Sequence, residues 1–539
     1  MQQDPSRPTR LRGVAAALVL GVALGLSPVV AARLARRAAR AGGLALAPDP
    51  WPMFHHDAQH TGVADGRGRI DPDLAPLVRW RYPVYVSASV PITNIRWTST
   101  LPLGDLDGDG TLEIVVTTPN GTAEANRVIV LKDTPGGAEP YEVMWVYTET
   151  TSALDSYSPV LADADHDGVL DVIISPNEGP VRALRGTDGQ PLWEYETGRR
   201  TEAGPTVADL DGDGALEVIL PTDCFSGIAC PGVNDQALLI VLPLTATNPV
   251  TPSWVVSYPS KLDSAVPVIA DIAPADGANR QAVIAGTWAG ELLVAWRNPA
   301  GTVITDTFDL RTLDITATVG VTPAIRSSPL VWDFGEGPTL VFGWVPNEDN
   351  PGVGRISALR VSADMTAGTH VNFTPLWTEP YDAWKSSVTL LPVSDPPLIV
   401  AGYGLAAPPF SQSGVVGGCE PGYVFGGIVA LHADGSNAWQ HDYGNAEGNP
   451  RASAAVADID GDGALEVVFP VGCYGKLHIY DGATGAEEWT LQLGPRSQGS
   501  PSIGDLDGDG RVEVVLSSYD GNVWVLGGAH FIHLPQIAR

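Results

Sequence analysis

DLDGDGTLEIVVTT, Asp105 to Thr118, is the stretch on which the reading of this chain turns. Acids stand at positions 1, 3, 5 and 9 (Asp105, Asp107, Asp109, Glu113), glycine stands at position 6, and a β-branched apolar run follows at once. Carboxylates at alternate positions of a tight loop converge on one point, as in the first half of an EF-hand calcium loop. Hard oxygen donors suit calcium, whereas zinc would ask for a His/Cys cluster. An EF-hand would place its last ligand at position 12 and continue as a helix. Position 12 here is Val116 and the run reads as a buried strand. The loop is therefore expected to join two strands.

Four more copies share the register. They carry Asp163, Asp165, Asp167 and Asp171; Asp209, Asp211, Asp213 and Glu217; Asp458, Asp460, Asp462 and Glu466; and Asp505, Asp507, Asp509 and Glu513. Position 7 varies freely (Thr111, Val169, Ala215, Ala464, Arg511), which fits a ligand supplied there by the backbone carbonyl. A hairpin explains one Asp-Gly pair, but not four acids in fixed register. Calcium at about five sites is the expected cofactor.

The surroundings of the loops repeat too. A small-residue strand precedes each (STLPLG, SPVLA, GPTVA, SAAVA, SPSIG), and upstream of that lies a strand bearing Trp80, Trp145, Trp193, Trp439 or Trp489. With the strands after the loop, this makes about four strands per unit, the signature of propeller blades. Three units starting at Ser264, Ser327 and Ser386 keep the strand frame without the acid series; the first two keep only Asp271 and Asp333. Eight units, five with acidic loops, predict an all-β, eight-bladed β-propeller over 48–530, with seven blades as the alternative.

These residues resemble the FG-GAP/VCBS repeat family, which includes the integrin α-subunit propeller. The resemblance runs from Trp80 to Leu526, is specific at the five loops and is weak from Trp254 to Ala401. It implies a calcium-bearing, adhesion-type propeller. WPMFHHDAQHTG, Trp51 to Gly62, resembles the opening segment of quinoprotein-type propellers; cofactor-binding members of that family often carry a vicinal Cys pair, which this chain lacks. Within that segment His55, His56, Asp57 and His60 match no zinc spacing. They are expected in an edge strand and turn that closes the ring.

A net charge of −31 argues against binding nucleic acid through its phosphates. Five calcium ions would bring that charge to about −21, so much of the acidity belongs to the loops. Arg7, Arg10 and Arg12 followed by an uncharged stretch from Gly13 to Ala32 form an export signal or N-terminal anchor within 1–47, the one expected contact with a membrane. The chain is expected to be secreted, periplasmic or at the cell surface. Residues 531–539 form a C-terminal tail. Cys224–Cys230 and Cys419–Cys473 are the expected disulfides, in keeping with an oxidising compartment, although four cysteines permit other pairings. Asn120 and Asn372 begin glycosylation sequons.

The longest insertions follow the strand after each loop, near 119–127, 221–236, 344–355 and 404–427. Strand geometry sends them to the face opposite the calcium loops. The last holds Phe410, Tyr423 and Phe425, candidate anchors for a protein or glycan partner. The acids recur as ligands rather than as one unique pair, so a non-enzymatic binding module is the leading expectation. A polysaccharide lyase or glycosidase is the alternative, and a quinoprotein-type dehydrogenase the third.

Overall fold

A computed structural model describes residues 50–528, apart from internal stretches of which 92–99, 225–235, 314–322, 405–425 and 444–451 are the longest. Among the described residues the ordered elements are almost wholly β-strands; a short 3₁₀ turn at Leu310–Thr312 lies among them. Eight sheets of at least four strands form an eight-bladed β-propeller. Blade one comprises Leu103–Gly104, Glu113–Thr118, Arg127–Asp133 and Tyr141–Thr148, paired in that order. Blades two to seven follow as antiparallel meanders within 160–196, 206–258, 268–309, 330–379, 389–443 and 455–492.

Blade eight closes the ring. Its first three strands, Ser502–Gly504, Glu513–Ser517 and Asn522–Gly527, come from the C-terminal end, and its outermost strand is Leu77–Pro83. The inner strand of blade eight lies against that of blade one, so the circle is complete. The Trp-bearing strands thus differ in phase from the sequence expectation. Each is the outermost strand of the preceding blade, because it pairs as a hairpin with that blade's third strand, as Trp145 does opposite Val130.

Burial follows strand order. The second strands, fed by the β-branched runs, are buried along their length, whereas outer strands such as Pro191–Glu196 alternate between exposed and buried positions. The outer tryptophans bind neighbouring blades together. The Nε1 atoms of Trp145, Trp193, Trp377 and Trp439 donate to the carbonyls of Gly186, Leu244, Ala433 and Gly482 in the next blade at 2.6–3.0 Å. The indoles lie on turns where only glycine fits: a Cβ on Gly189, Gly435 or Gly485 would come within 2.6–2.8 Å of the ring.

A second set of inter-blade bonds uses the serines that open each unit. Val266 N donates to Ser328 Oγ, Ser328 N to Ser387 Oγ, Ser387 N to Ser453 Oγ and Ser453 N to Ser500 Oγ, at 2.8–3.0 Å. Small residues recur there because the blades converge toward the axis and leave no room for larger ones.

The segment holding the histidines differs from expectation. It does not close the ring; it runs round the inner rim and serves the blades in order. Main-chain bonds join Trp51 to Leu103 of blade one, Pro52 to Leu161 of blade two, Ala58 to Ile269 of blade four and Gln59 to Val331 of blade five. Thr61 then meets Leu390 of blade six, Gly62 meets Val456 of blade seven, and Arg67 meets Val512 of blade eight. Val63–Arg67 adds a parallel edge strand to the inner side of blade seven. His55 and His60 are fully enclosed, and burial pushes their pKa values down to about 3 and about 4. They serve as neutral packing groups; His60 Nδ1 lies 2.9 Å from the carbonyl of Pro329.

Candidate metal loops

The five acidic loops all connect a blade's first strand to its second, so they line one edge of the ring. In each loop, the position-1 carboxylate ties the turn by accepting backbone N–H groups. Asp105 accepts from Gly108 at 2.7 Å and Gly110 at 2.9 Å, and Asp209 accepts from Gly212 and Gly214 at the same distances. Gly110 and Gly214 sit at φ +91° and +90°, which explains the fixed glycine at position 6. The position-9 acid reaches back to the position-2 N–H: Glu113 to Leu106, Asp171 to Ala164, Glu217 to Leu210, Glu466 to Ile459 and Glu513 to Leu506, at 2.7–3.1 Å.

These bonds bring the ligand candidates together. Oxygens of Asp105, Asp107 and Glu113 lie within 4.8 Å of one another, as do those of Asp163, Asp165 and Asp171, and of Asp458, Asp460 and Glu466. In the third and fifth loops the converging trios are Asp209, Asp211, Asp213 and Asp505, Asp507, Asp509. At position 7 the N–H groups of Thr111, Val169, Ala215 and Ala464 donate to the position-5 carboxylate at 2.7–2.9 Å and tighten the turn. Each cluster can hold a cation, and Asp211 Oδ1 is a buried oxygen that accepts no hydrogen bond among the described residues.

Electrostatics points the same way. Burial pushes the position-9 carboxyls up, to about 6 for Asp171, about 7 for Glu113 and Glu217, about 8 for Glu513 and about 9 for Glu466. Neighbouring Asp carboxylates add to that shift. A divalent cation would relieve the same repulsion that protonation relieves.

Basic residues that the loop motif did not disclose approach these acids: Arg67 Nε lies 3.1 Å from Asp458 and Arg185 Nε 3.7 Å from Asp165, and two others come closer. Lys132 Nζ lies 2.5 Å from Asp107 and 2.6 Å from Asp109. Arg79 lies 2.9 Å from Asp507 and 2.6 Å from Glu513. Asp271 accepts a turn bond from Ala273 N, and Asp333 accepts turn bonds from Gly335 N and Gly337 N; neither belongs to a converging acid trio among the described residues, in line with the loss of the acid series.

The long connections after the second strand leave from Thr118, Pro221, Trp344 and Gly404, at the edge opposite the acidic loops. Phe410, Tyr423 and Phe425 lie outside the described residues, as do Cys230, Cys419 and Cys473; Cys224 is buried. Asn372 is exposed at the start of an outer strand, and Asn120 lies outside the described residues.

A model of the FG-GAP-like repeat matches residues 105–174 and 163–220. Residues 105–220 thus carry FG-GAP-like repeats. The match covers the first three acidic loops, so the motif that organises this edge of the ring is the repeat's own. No curated protein matches the chain. Among solved structures, a europium-containing methanol dehydrogenase shares 13% identity at a TM-score of 0.52, over 89% of this chain and 98% of its own. A quinohemoprotein alcohol dehydrogenase from Comamonas testosteroni shares 13% identity at a TM-score of 0.51, over 92% of this chain and 83% of its own. At that identity the likeness concerns the fold: large propellers of this build take the same path as these FG-GAP-like repeats.

Proposed function

We propose that this chain is an exported, calcium-stabilised propeller that binds a protein or glycan through the face opposite its acidic loops, without catalysing a reaction. The observation behind this is the division of labour between the two edges. Five loops with converging carboxylates occupy one edge, while the long connections leave from the other. Calcium at the first edge would hold blade hairpins in register, and binding to the native state alone stabilises by mass action. Variable loops on a rigid scaffold are where recognition concentrates. Export is supported by the arginine-flanked apolar stretch of Gly13 to Ala32, and disulfides at Cys224–Cys230 and Cys419–Cys473 would suit that compartment. Among the described residues, no helix is long and apolar enough to cross a membrane.

The dehydrogenase reading has the likeness of fold in its favour. Against it, residues 51–68 already occupy the inner rim, where they bond to seven of the eight blades. An absorbance spectrum of the purified protein decides that point: a quinone band overturns the binding reading. Hydrogen-exchange footprinting with a glycan or protein found by array screening tests the face. Protection within 119–127, 221–236, 344–355 or 404–427 is expected; protection confined to the acidic loops contradicts the proposal. Turnover of an acidic polysaccharide in the same screen would favour an enzyme.

A further inference from the structure

One position near the metal loops differs from blade to blade in a way the loop motif does not show. In six blades the outer strand carries a β-bulge one residue before its tryptophan. The register jumps from Trp80 to Val78, Trp145 to Val143, Trp193 to Pro191, Trp377 to Pro375, Trp439 to Asn437 and Trp489 to Glu487. The unpaired residues are Arg79, Met144, Leu192, Leu376, Ala438 and Glu488. A bulge re-aims the side chain it releases. In blade eight it aims Arg79 at the acidic loop of its own blade.

The Arg79 side chain is 7% exposed there, and its guanidinium lies 2.9 Å from Asp507, 2.6 Å from Glu513 and 2.8 Å from Asp133 of blade one. Its stem crosses Gly527, where a Cβ would meet the Arg79 side chain at 2.8 Å. Two of the four acids of the fifth loop, positions 3 and 9, therefore face a fixed cation. Asp505 Oδ1 accepts no hydrogen bond among the described residues, but Asp505 and Asp509 alone fall short of the six to eight oxygens that calcium gathers. Blade seven shows the opposite choice: the bulge residue is Glu488, whose carboxyl is raised to about 7 by burial and by Asp460, Asp481 and Asp462.

The geometry points to a loop whose metal has been replaced by a side chain: Arg79 takes the place of calcium in the loop Asp505 to Glu513, and only the other four loops bind the ion. The inference rests on the calcium reading of those four loops. Lys132 in the first loop is a different case. An ammonium on a flexible four-carbon stem can withdraw to let an ion enter, whereas the planar Arg79 guanidinium is fastened by three carboxylates across two blades. Arg79 thereby does two things at once: it neutralises the last loop and joins the strand that closes the ring to blade one.

Calcium titration of the full chain by calorimetry, with metal content measured in parallel, tests this on three variants. Asp211→Asn in the third loop is expected to lose one bound calcium per chain, and Asp507→Asn none. Arg79→Met, if it folds, is expected to gain one site. Loss of one calcium on Asp507→Asn alongside Asp211→Asn would overturn the inference while leaving the calcium reading intact. No loss on either would remove the calcium reading, and the inference with it.

Discussion

The indole Nε1 of Trp80 donates a 2.8 Å hydrogen bond to Oδ1 of Asp133, so the outermost strand of blade eight is pinned to blade one by a tryptophan and a carboxylate. In four other blades the tryptophan donates to a backbone carbonyl. Only here, among these bonds, does a charged acceptor stand at the seam where the two chain ends meet. Trp80→Phe keeps an apolar ring but removes the donor, and leaves Asp133 with Arg79 as partner. We expect a loss of about 1–3 kcal/mol, the range for hydrogen bonds to charged groups. Trp145→Phe, which loses a bond to a carbonyl, should cost about 1 kcal/mol. Denaturant melts of both variants check the order; equal losses would show that the seam is no different from the other boundaries.

The inner segment offers a second test. Gly68 N donates to Asp458 O at 2.6 Å, and a Cβ on Gly68 would fall 1.8 Å from the carbonyl oxygen of Ile459. That carbonyl, in the bend after Ala455–Asp458, is held by the N–H of Ile70 and cannot step aside cheaply. Gly68→Ala is therefore expected to cost about 1–3 kcal/mol, as overpacking does. A melt unchanged from the parent would mean that residues 51–68 do not lie on the inner rim.

Acidity supplies a third. The position-9 acids have native pKa values of about 6 to 9, above the 3.8 and 4.5 of free Asp and Glu. A raised carboxyl favours the folded state when protonated. In the calcium-free protein its contribution is complete below about pH 4 and is lost as pH rises through about 6 to 9. Calcium competes with those protons. The rise in Tm on adding calcium should therefore grow from pH 5 to pH 8, approximately the window those values define. A calcium effect that is flat over this range would contradict the ligand role of the position-9 acids.

Loop by loop, the effect should be unequal. Asp211→Ala removes a carboxylate from a converging trio, whereas Asp271, which accepts a turn bond from Ala273 N, belongs to no such trio among the described residues. With calcium present, Asp211→Ala should lower Tm and Asp271→Ala should change it little; in chelator the difference should vanish. Equal effects in calcium would place the loop's role in its hydrogen bonds instead.

Much of this architecture was legible in the chain because its information is local. Asp, Gly and acid at fixed spacing specify a turn, the β-branched run after it specifies a buried strand, and eight repetitions specify a ring. The phase of the blade was harder to read. Trp145 sits upstream of the next small-residue strand, yet its hydrogen-bond partners lie in the strand before it, and nothing local marks that choice. The path of Trp51 to Gly68 was out of reach for a different reason: its bonds go to seven distant blades, one or two at a time, and leave no periodic trace. Arg79 had a faint signal. It stands directly before a blade tryptophan, where Met144 and Leu192 stand in other blades, but the bulge that turns it inward appears only in the pairing register.

The most direct measurement is metal analysis of the purified chain joined to a thermal melt with and without chelator. Bound calcium is expected, with a large fall in Tm when it is removed that is reversed by adding calcium back. An unchanged melt in chelator, from protein that carries no calcium, would contradict that expectation.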